Sequence, residues 1–170
     1  LATSSPFAST LVKRVSPMKI ETTIFRNRYT EVSREFIRGA LWKAGRILGG
    51  GKRVELSVSL IGNVKMRALN RQYRGKDKTT NVLSFRHSGE GVKKKEAADI
   101  GDILISIPEV KREARLYGWR QEYAIARLLV HGFLHLLGYD HGNEKEARRM
   151  EALERKLLIQ VVEMKREKFL

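Results

Sequence analysis

The sequence contains no cysteine and no long apolar run, and it has far fewer acidic than basic residues. The absence of cysteine excludes disulfide frameworks, thiolate zinc clusters and cysteine nucleophiles, and it suits a reducing compartment without proving one. Because no stretch approaches ~18 consecutive apolar residues, the sequence excludes a membrane-spanning helix. A chain of 170 residues, 42% of them apolar, is typical of a single domain with one core.

The charge balance is the first positive clue to a partner. Lysine and arginine number 34 and aspartate and glutamate 19, which gives a net charge of +15. An excess of this size favours polyanionic partners such as nucleic acid, ribosomes or anionic lipid. Charge reports on partners rather than on fold, so a protein with a merely basic surface remains the alternative at this point.

Residues 1–17 differ in composition from the remainder of the chain. They contain no acidic residue, are rich in serine, threonine and alanine, and precede Met18. Three origins remain open for this extension: an expression remnant, an upstream start, or the end of an organellar targeting sequence. We assign the folded domain to residues 18–170 and expect a cytoplasmic protein, or one of an organelle matrix if the extension is a targeting remnant.

The pattern of apolar residues predicts a mixed α+β domain. Alternation or apolar runs predict four strands, and 3.6-residue periodicity predicts five helices, the first of them capped by Thr30. The helix predicted over residues 119–137 is apolar on nearly all sides and therefore belongs at the centre of the core. We expect one small mixed sheet of about four strands flanked by helices. The predicted strands cover residues 19–25, 54–60, 80–85 and 100–107.

Three of the four histidines fall within the segment HGFLHLLGYDH, at His131, His135 and His141. Residues i and i+4 share a helix face, so His131 and His135 present two imidazoles together. Gly138 lets the helix end and the chain reverse, which returns His141 to the same point. Three neutral imidazoles suit one zinc ion, or another divalent transition metal, and leave a coordination position open. Such a metal lowers the pKa of bound water to ~7 or polarises a phosphoryl oxygen.

The same spacing matches the metzincin protease pattern H-E-x-x-H-x-x-G-x-x-H at His131, His135, Gly138 and His141. The position after the first histidine is Gly132, where the proteases carry the glutamate that acts as general base. The sequence therefore disfavours peptide hydrolysis while it keeps the metal tripod.

A basic segment, KMRALNRQYRGKDK, covers residues 65–78 and leads into the predicted strand TNVLSF. Arg74 and Lys76 are the cations best placed to reach a phosphate. The planar guanidinium of an arginine can donate hydrogen bonds to two phosphate oxygens at once. For Lys65, Arg67 and Arg71 individually, a solvated helix face is the preferred interpretation.

The segments LNRQYRGKDKTTNVLSF, GDILIS and HGFLHLLGYDH, in this order and spacing, resemble the YbeY family of ribosomal RNA maturation factors. The resemblance implies a single-strand-specific, metal-dependent endoribonuclease with its metal in a cleft at the end of the central helix. It implies action on the small ribosomal subunit, in 3′-end maturation of its RNA and in ribosome quality control. The family's zinc ligands fall on His131, His135 and His141, and its important arginine falls on Arg74.

One departure from the family is Thr79, where a proline is common; it affects backbone stiffness rather than chemistry. Further candidates are substrate contacts and residues that orient a ligand histidine. The substrate candidates are Lys76, Asn81 and Ser84, with Arg74 as the catalytic candidate, and the orienting candidates are Asp140 and Asp102. A turn-stabilising role explains Asp140 equally well.

Two alternatives to a nuclease remain open from the sequence. The first is a non-catalytic, zinc-stabilised factor that binds RNA during ribosome assembly. The second is a metal-dependent hydrolase of another substrate. The sequence also does not choose between water and the ribose 2′-hydroxyl as the nucleophile.

Overall fold

The computed structural model describes residues 16–26, 28–29, 32–87 and 97–167, with side chains as far as residue 162. Residues 1–15 of the predicted extension lie outside the described residues, and the assignment of residues 1–17 stays a prediction. In chain order the elements are β1 (Lys19–Phe25), α1 (Arg34–Leu48), β2 (Arg53–Ile61), α2 (Asn63–Arg74), β3 (Val82–Arg86), β4 (Ala98–Ser106), α3 (Ile107–Tyr117), α4 (Gln121–Leu136) and α5 (Glu144–Glu167).

The four strands form one mixed sheet in the order β1-β2-β4-β3. β1 and β4 each pair with β2 in parallel, and β3 pairs antiparallel with β4, which leaves β3 at one edge of the described sheet. The prediction of an α+β domain with a small mixed sheet flanked by helices is confirmed. The parallel pairs need helical crossovers, which α1 and α2 help to supply, whereas β3 and β4 are consecutive strands.

The alternating pattern of β2 explains which face of the sheet is buried in the main core. Val54, Leu56, Val58 and Leu60 are at most 3% exposed and belong to the main core cluster. Since side chains alternate across a strand, the residues between them point to the opposite face. There α2 covers a smaller cluster of three buried residues, Ile61, Met66 and Leu83. Helix α2 thus lies across the sheet from the main core.

Helix α4 lies in the main core, as its apolar composition predicts. Ten of its residues are buried, and it packs against β3, β4 and the helices α1, α3 and α5. Helix α4 approaches the sheet closely at Gly132, where an added Cβ would lie 3.0 Å from Cγ2 of Ile103. This approach fixes the position of the helix that carries His131 and His135.

The start of α1 differs from the prediction. Ser33, not Thr30, is the N-cap: its side chain accepts a hydrogen bond from the backbone N of Phe36 at 3.0 Å. Thr30 itself lies outside the described residues. Serine and threonine have similar capping preferences, so the residue that directly precedes the first helical turn takes the role.

No helix in the described part of the chain has both the length and the apolar composition needed to cross a bilayer.

Candidate metal centre

His131 and His135 lie at the C-terminal end of α4 and point to one place. Their ring centroids are 4.6 Å apart, and their Nε2 atoms face one another at 3.1 Å. One turn of helix separates the two residues, so the helix alone produces this pairing. Both side chains are about one quarter exposed, which leaves them accessible at the edge of the core.

The turn after α4 brings His141 to the same point. Gly138 adopts φ 92°, a conformation that L side chains rarely adopt, and its backbone N donates to the carbonyl of His135 at 2.9 Å. The chain then reverses, and the His141 ring centroid lies 5.6 Å from that of His131 and 5.5 Å from that of His135. The predicted tripod is therefore present in the fold.

The three imidazoles fit a single divalent metal ion. Each offers one nitrogen, and the three nitrogens lie within 4.8 Å of one another. Among the His, Cys, Asp and Glu residues that the structure describes, this is the group of three or more able to hold a metal, and it contains no fourth protein donor. Three nitrogen donors and an open position are typical of catalytic zinc.

Glu154 is a member of this centre that the analysis of motifs did not single out. Its Oε2 lies 3.3 Å from Nδ1 of His131, and its side chain is only 16% exposed. A carboxylate on Nδ1 fixes the tautomer that leaves Nε2 free for a metal, which is the usual arrangement around zinc. The sequence signal was the MEALE segment at residues 150–154, which places this carboxylate on α5.

The environment of His135 favours its neutral form. Burial at the end of α4, together with the neighbouring His131 ring, lowers the pKa of His135 below its ordinary value. A neutral imidazole is the form that binds a metal, so the fold presents His135 in the required state.

Asp140 stabilises the turn that carries His141. Its Oδ1 accepts a hydrogen bond from the backbone N of His141 at 2.8 Å, whereas it lies 3.9 Å from Nδ1 of His135. The longer distance is beyond a hydrogen bond. The observed hydrogen bond of Asp140 is therefore one that stabilises the turn, not one that orients His135.

Asp102 does not lie with the histidines, contrary to the expectation that it orients one of them. The neighbouring Ile103 faces α4 at Gly132, so Asp102 points to the opposite face of the sheet. There its carboxylate accepts a hydrogen bond from the Ser57 hydroxyl and lies 3.1 Å from Nε2 of His87. The alternation of side chains along β4 decides this outcome.

Arg74 is the last residue of α2 and is exposed. Within the described part of the chain, no hydrogen bond or ion pair joins its side chain to the histidines or to any other residue. The preceding Tyr73 contacts Phe85 of the edge strand β3, with ring centroids 4.8 Å apart. Arg74 therefore lies beside β3, on the face of the sheet opposite α4.

The three remaining candidates lie along the segment that leads into β3 and along β3 itself. Lys76 is exposed in the loop after α2. Asn81 is engaged within the protein, because its Nδ2 donates to Oε1 of Glu113 at 2.9 Å. Ser84 pairs with Ile103 across β3 and β4, which places it on the face of the sheet that α4 covers.

Comparison with known proteins identifies the family of this chain. The family described as Endoribonuclease YbeY matches residues 20–162. The chain belongs to the YbeY family. The match spans β1 to α5 and includes the three histidines, Glu154 and Arg74, so the resemblance noted in the sequence is confirmed. Membership places the chain among nucleases that act on phosphodiester bonds of RNA.

Individual YbeY relatives support this membership. The chain is 40% identical to Endoribonuclease YbeY of Bacillus cytotoxicus over 143 residues, which cover 79% of this chain and 92% of the relative. It is 43% identical to that of Geobacillus kaustophilus over 138 residues, 78% of this chain and 88% of the relative. The solution structure of TM1509 from Thermotoga maritima shares the fold, with a TM-score of 0.60 at 24% identity over 89% of this chain and 93% of that one.

Proposed function

We propose that this protein is a zinc-dependent endoribonuclease that cleaves single-stranded RNA. Its substrate is ribosomal RNA, at the 3′ end of the small-subunit RNA during maturation and in ribosome quality control. The protein acts on the small ribosomal subunit in the cytoplasm, or in an organelle matrix if residues 1–17 are a targeting remnant. One zinc ion per chain, or another divalent transition metal, is the cofactor.

The observation that carries this proposal is the convergence of three imidazoles in a member of an endoribonuclease family. His131 and His135 supply their Nε2 atoms from α4, and His141 supplies its nitrogen from the turn. These three nitrogens would hold a zinc ion, which would supply activation of water and polarisation of phosphoryl oxygens.

The chain's own residues prepare the site for that chemistry. Glu154 holds the His131 ring through Nδ1, and Asp140 holds the backbone at His141. Arg74 binds non-bridging oxygens of the scissile phosphate and stabilises the charge that develops on them. Because Arg74 has no partner among the described residues, its guanidinium is available for this contact.

The RNA path in this proposal runs across the free edge of β3. Arg74 and Lys76 lie on the α2 side of that edge, and α4 with its histidines lies on the other. Ser84 lies on the α4 face, near the path, whereas Asn81 already donates to Glu113 and would have to exchange that partner to contact RNA. Contacts of this kind to the RNA backbone weaken as salt increases.

Peptide hydrolysis has no support from the packing of α4. Gly132 occupies the position of the protease glutamate and packs against Ile103 of β4. That position faces the sheet and supplies no carboxylate to act as the metzincin general base.

Elemental analysis combined with an RNA cleavage assay tests the proposal. The purified protein should contain one zinc ion per chain, cleave a single-stranded oligoribonucleotide, and lose that activity with a chelator and regain it with zinc. His131→Ala should abolish stoichiometric zinc and cleavage. One zinc per chain in that variant would contradict the tripod. A 2′,3′-cyclic phosphate on the product would identify the ribose 2′-hydroxyl as the nucleophile.

Arg74→Ala should retain zinc while RNA cleavage falls by roughly 100-fold, as for the loss of one donor to a developing oxyanion. Arg71→Ala is the matched control, since it removes an exposed arginine from the same helix. Equal cleavage by the wild type and Arg74→Ala at matched salt would remove Arg74 from the reaction. RNA binding that depends on Arg74 without any cleavage by the zinc-loaded wild type would favour the assembly-factor alternative.

A further inference from the structure

Arg86 is the last residue of β3 and reaches the turn that links the metal ligands. It lies two residues after Ser84, so both side chains project from the same face of the sheet, toward α4. Its Nη1 lies 2.9 Å, and its Cζ 3.4 Å, from the point where a Cβ on Gly138 would stand. The guanidinium thus rests on the backbone of Gly138, and any side chain there would displace it.

Gly138 is the midpoint between two of the proposed ligands. It follows His135 by three residues and precedes His141 by three, and its backbone N donates to the His135 carbonyl. The Arg86 guanidinium therefore lies against the turn between two proposed metal ligands, although the basic segment at residues 65–78 does not contain it.

The charge of Arg86 is not neutralised within the described part of the chain. The side chain is exposed, and no hydrogen bond or ion pair engages it there. Asp140, which lies in the same turn as Gly138, accepts a hydrogen bond from the backbone N of His141. An exposed planar guanidinium of this kind suits two oxygens of a phosphate.

We propose that Arg86 forms a phosphate-binding subsite for RNA on the α4 side of β3. It binds a backbone phosphate beside the scissile one, while Arg74 acts from the α2 side of the same strand. The two arginines thus place a cation on each face of the strand that the RNA crosses. This inference rests on the proposed function, and it adds a second anchor that fixes the RNA against the metal centre.

Binding of RNA to the metal-free protein tests the subsite without using activity. A fluorescent single-stranded oligoribonucleotide is titrated by anisotropy, in chelator, at salt concentrations from roughly 50 to 200 mM. Loss of one phosphate contact to a single strand lowers the slope of log K against log salt by ~0.7 in magnitude, and we expect this for Arg86→Gln. Arg86→Lys should restore the slope, because it keeps the charge.

Arg115→Gln is the matched control. Arg115 is exposed on α3 and lines a surface cavity together with Gln121, the first residue of α4. Gln121 lies roughly 21 Å along the helix axis from His135. Arg115→Gln removes one positive charge, as Arg86→Gln does. The salt slope of RNA binding by Arg115→Gln should nevertheless equal that of the wild type. In the zinc-loaded enzyme, Arg86→Gln should raise KM for RNA about 10-fold while kcat changes less.

Two results would overturn the subsite and differ from failure of the proposed function. An unchanged salt slope for Arg86→Gln, with a lowered melting temperature, would show that Arg86 only stabilises the end of α4. An equal change of slope in Arg115→Gln would reduce the effect to net charge. If the wild-type protein neither binds nor cleaves RNA, the proposed function fails and the subsite fails with it.

Discussion

The Glu154 carboxylate lies on Nδ1 of His131 and thereby leaves Nε2 of that ring directed at His135. A carboxylate in this position sets both the ring orientation and the basicity of a ligand histidine.

Glu154→Gln should weaken zinc binding about 10- to 100-fold, because an amide orients the imidazole without supplying negative charge. Competition with a chromophoric chelator measures the affinity. Glu151→Gln, an exposed change on the same helix, should leave it as in the wild type. Unaltered zinc affinity in Glu154→Gln would show that the contact to His131 has no bearing on the metal.

His87 lies between two carboxylates on the sheet face opposite α4. Its Nδ1 is 3.0 Å from Asp99 and its Nε2 is 3.1 Å from Asp102. The hydrogen bond to Asp99, with the added charge of Asp102, raises the pKa of His87 above its ordinary value of 6.5. The His87 side chain is exposed, and the sequence alone does not reveal these partners.

The His87 contacts should make stability depend on pH. Since the folded state binds the proton more tightly, the stabilisation is fully present below about pH 6.5 and is lost as pH rises through the raised folded pKa. The free energy of unfolding of the wild type minus that of His87→Gln should therefore fall as pH rises. A difference that stays constant across this range would show that the proton on His87 does not contribute.

Helix α4 fills the core and carries two of the three proposed metal ligands, His131 and His135, at its C-terminal end. Its apolar residues are predictable from composition, and so is the i, i+4 pair of histidines. The close packing of α4 on the sheet depends on Gly132, because a methyl group at this position would lie only 3.0 Å from Cγ2 of Ile103.

Gly132→Ala should destabilise the protein by about 1 kcal/mol. Alanine favours a helix over glycine by about 1 kcal/mol, but overpacking against Ile103 costs about 1–3 kcal/mol. In an Ile103→Ala background the clash is absent, and the same change should stabilise. Chemical denaturation of the four proteins in this double-mutant cycle measures the coupling. Independent effects of the two substitutions would refute the close packing of α4 on β4.

The metal centre connects α4, the turn after it and α5, so metal binding should stabilise the whole domain. At a free zinc concentration about 100 times Kd, binding to the folded state alone adds ~2.7 kcal/mol. For a protein of this size that corresponds to a rise in Tm of about 5–10 °C. Thermal unfolding with zinc and with chelator measures the difference.

His141→Ala serves as the control for this rise in Tm, since it removes one ligand from an exposed turn and leaves α4 intact. Its Tm should respond little to zinc. A zinc-dependent rise equal to that of the wild type would place the stabilising metal elsewhere in the protein.

Much of the fold follows from local patterns of residues. The strand at residues 19–25 and the strongly apolar α4 are predicted from local patterns, and both are observed. A local contact also begins α5, where the backbone N of Glu146 donates to Oδ1 of Asn143 at 3.0 Å. The predicted N-cap of α1, Thr30, was three residues too early, because serine and threonine have similar capping preferences and Ser33 lies close to Thr30.

The convergence of the three histidines could be predicted from the sequence alone, because an i, i+4 histidine pair and a glycine-mediated reversal are local geometry. The chain order left open how Glu154, Asp102 and Arg86 are arranged, since each position depends on segments distant in sequence. Packing of α5 on α4 brings Glu154 to His131, and the alternation of β4 turns Asp102 away. Pairing of β3 at the sheet edge carries Arg86 to Gly138. Long-range packing decides such contacts, and no local spacing encodes them.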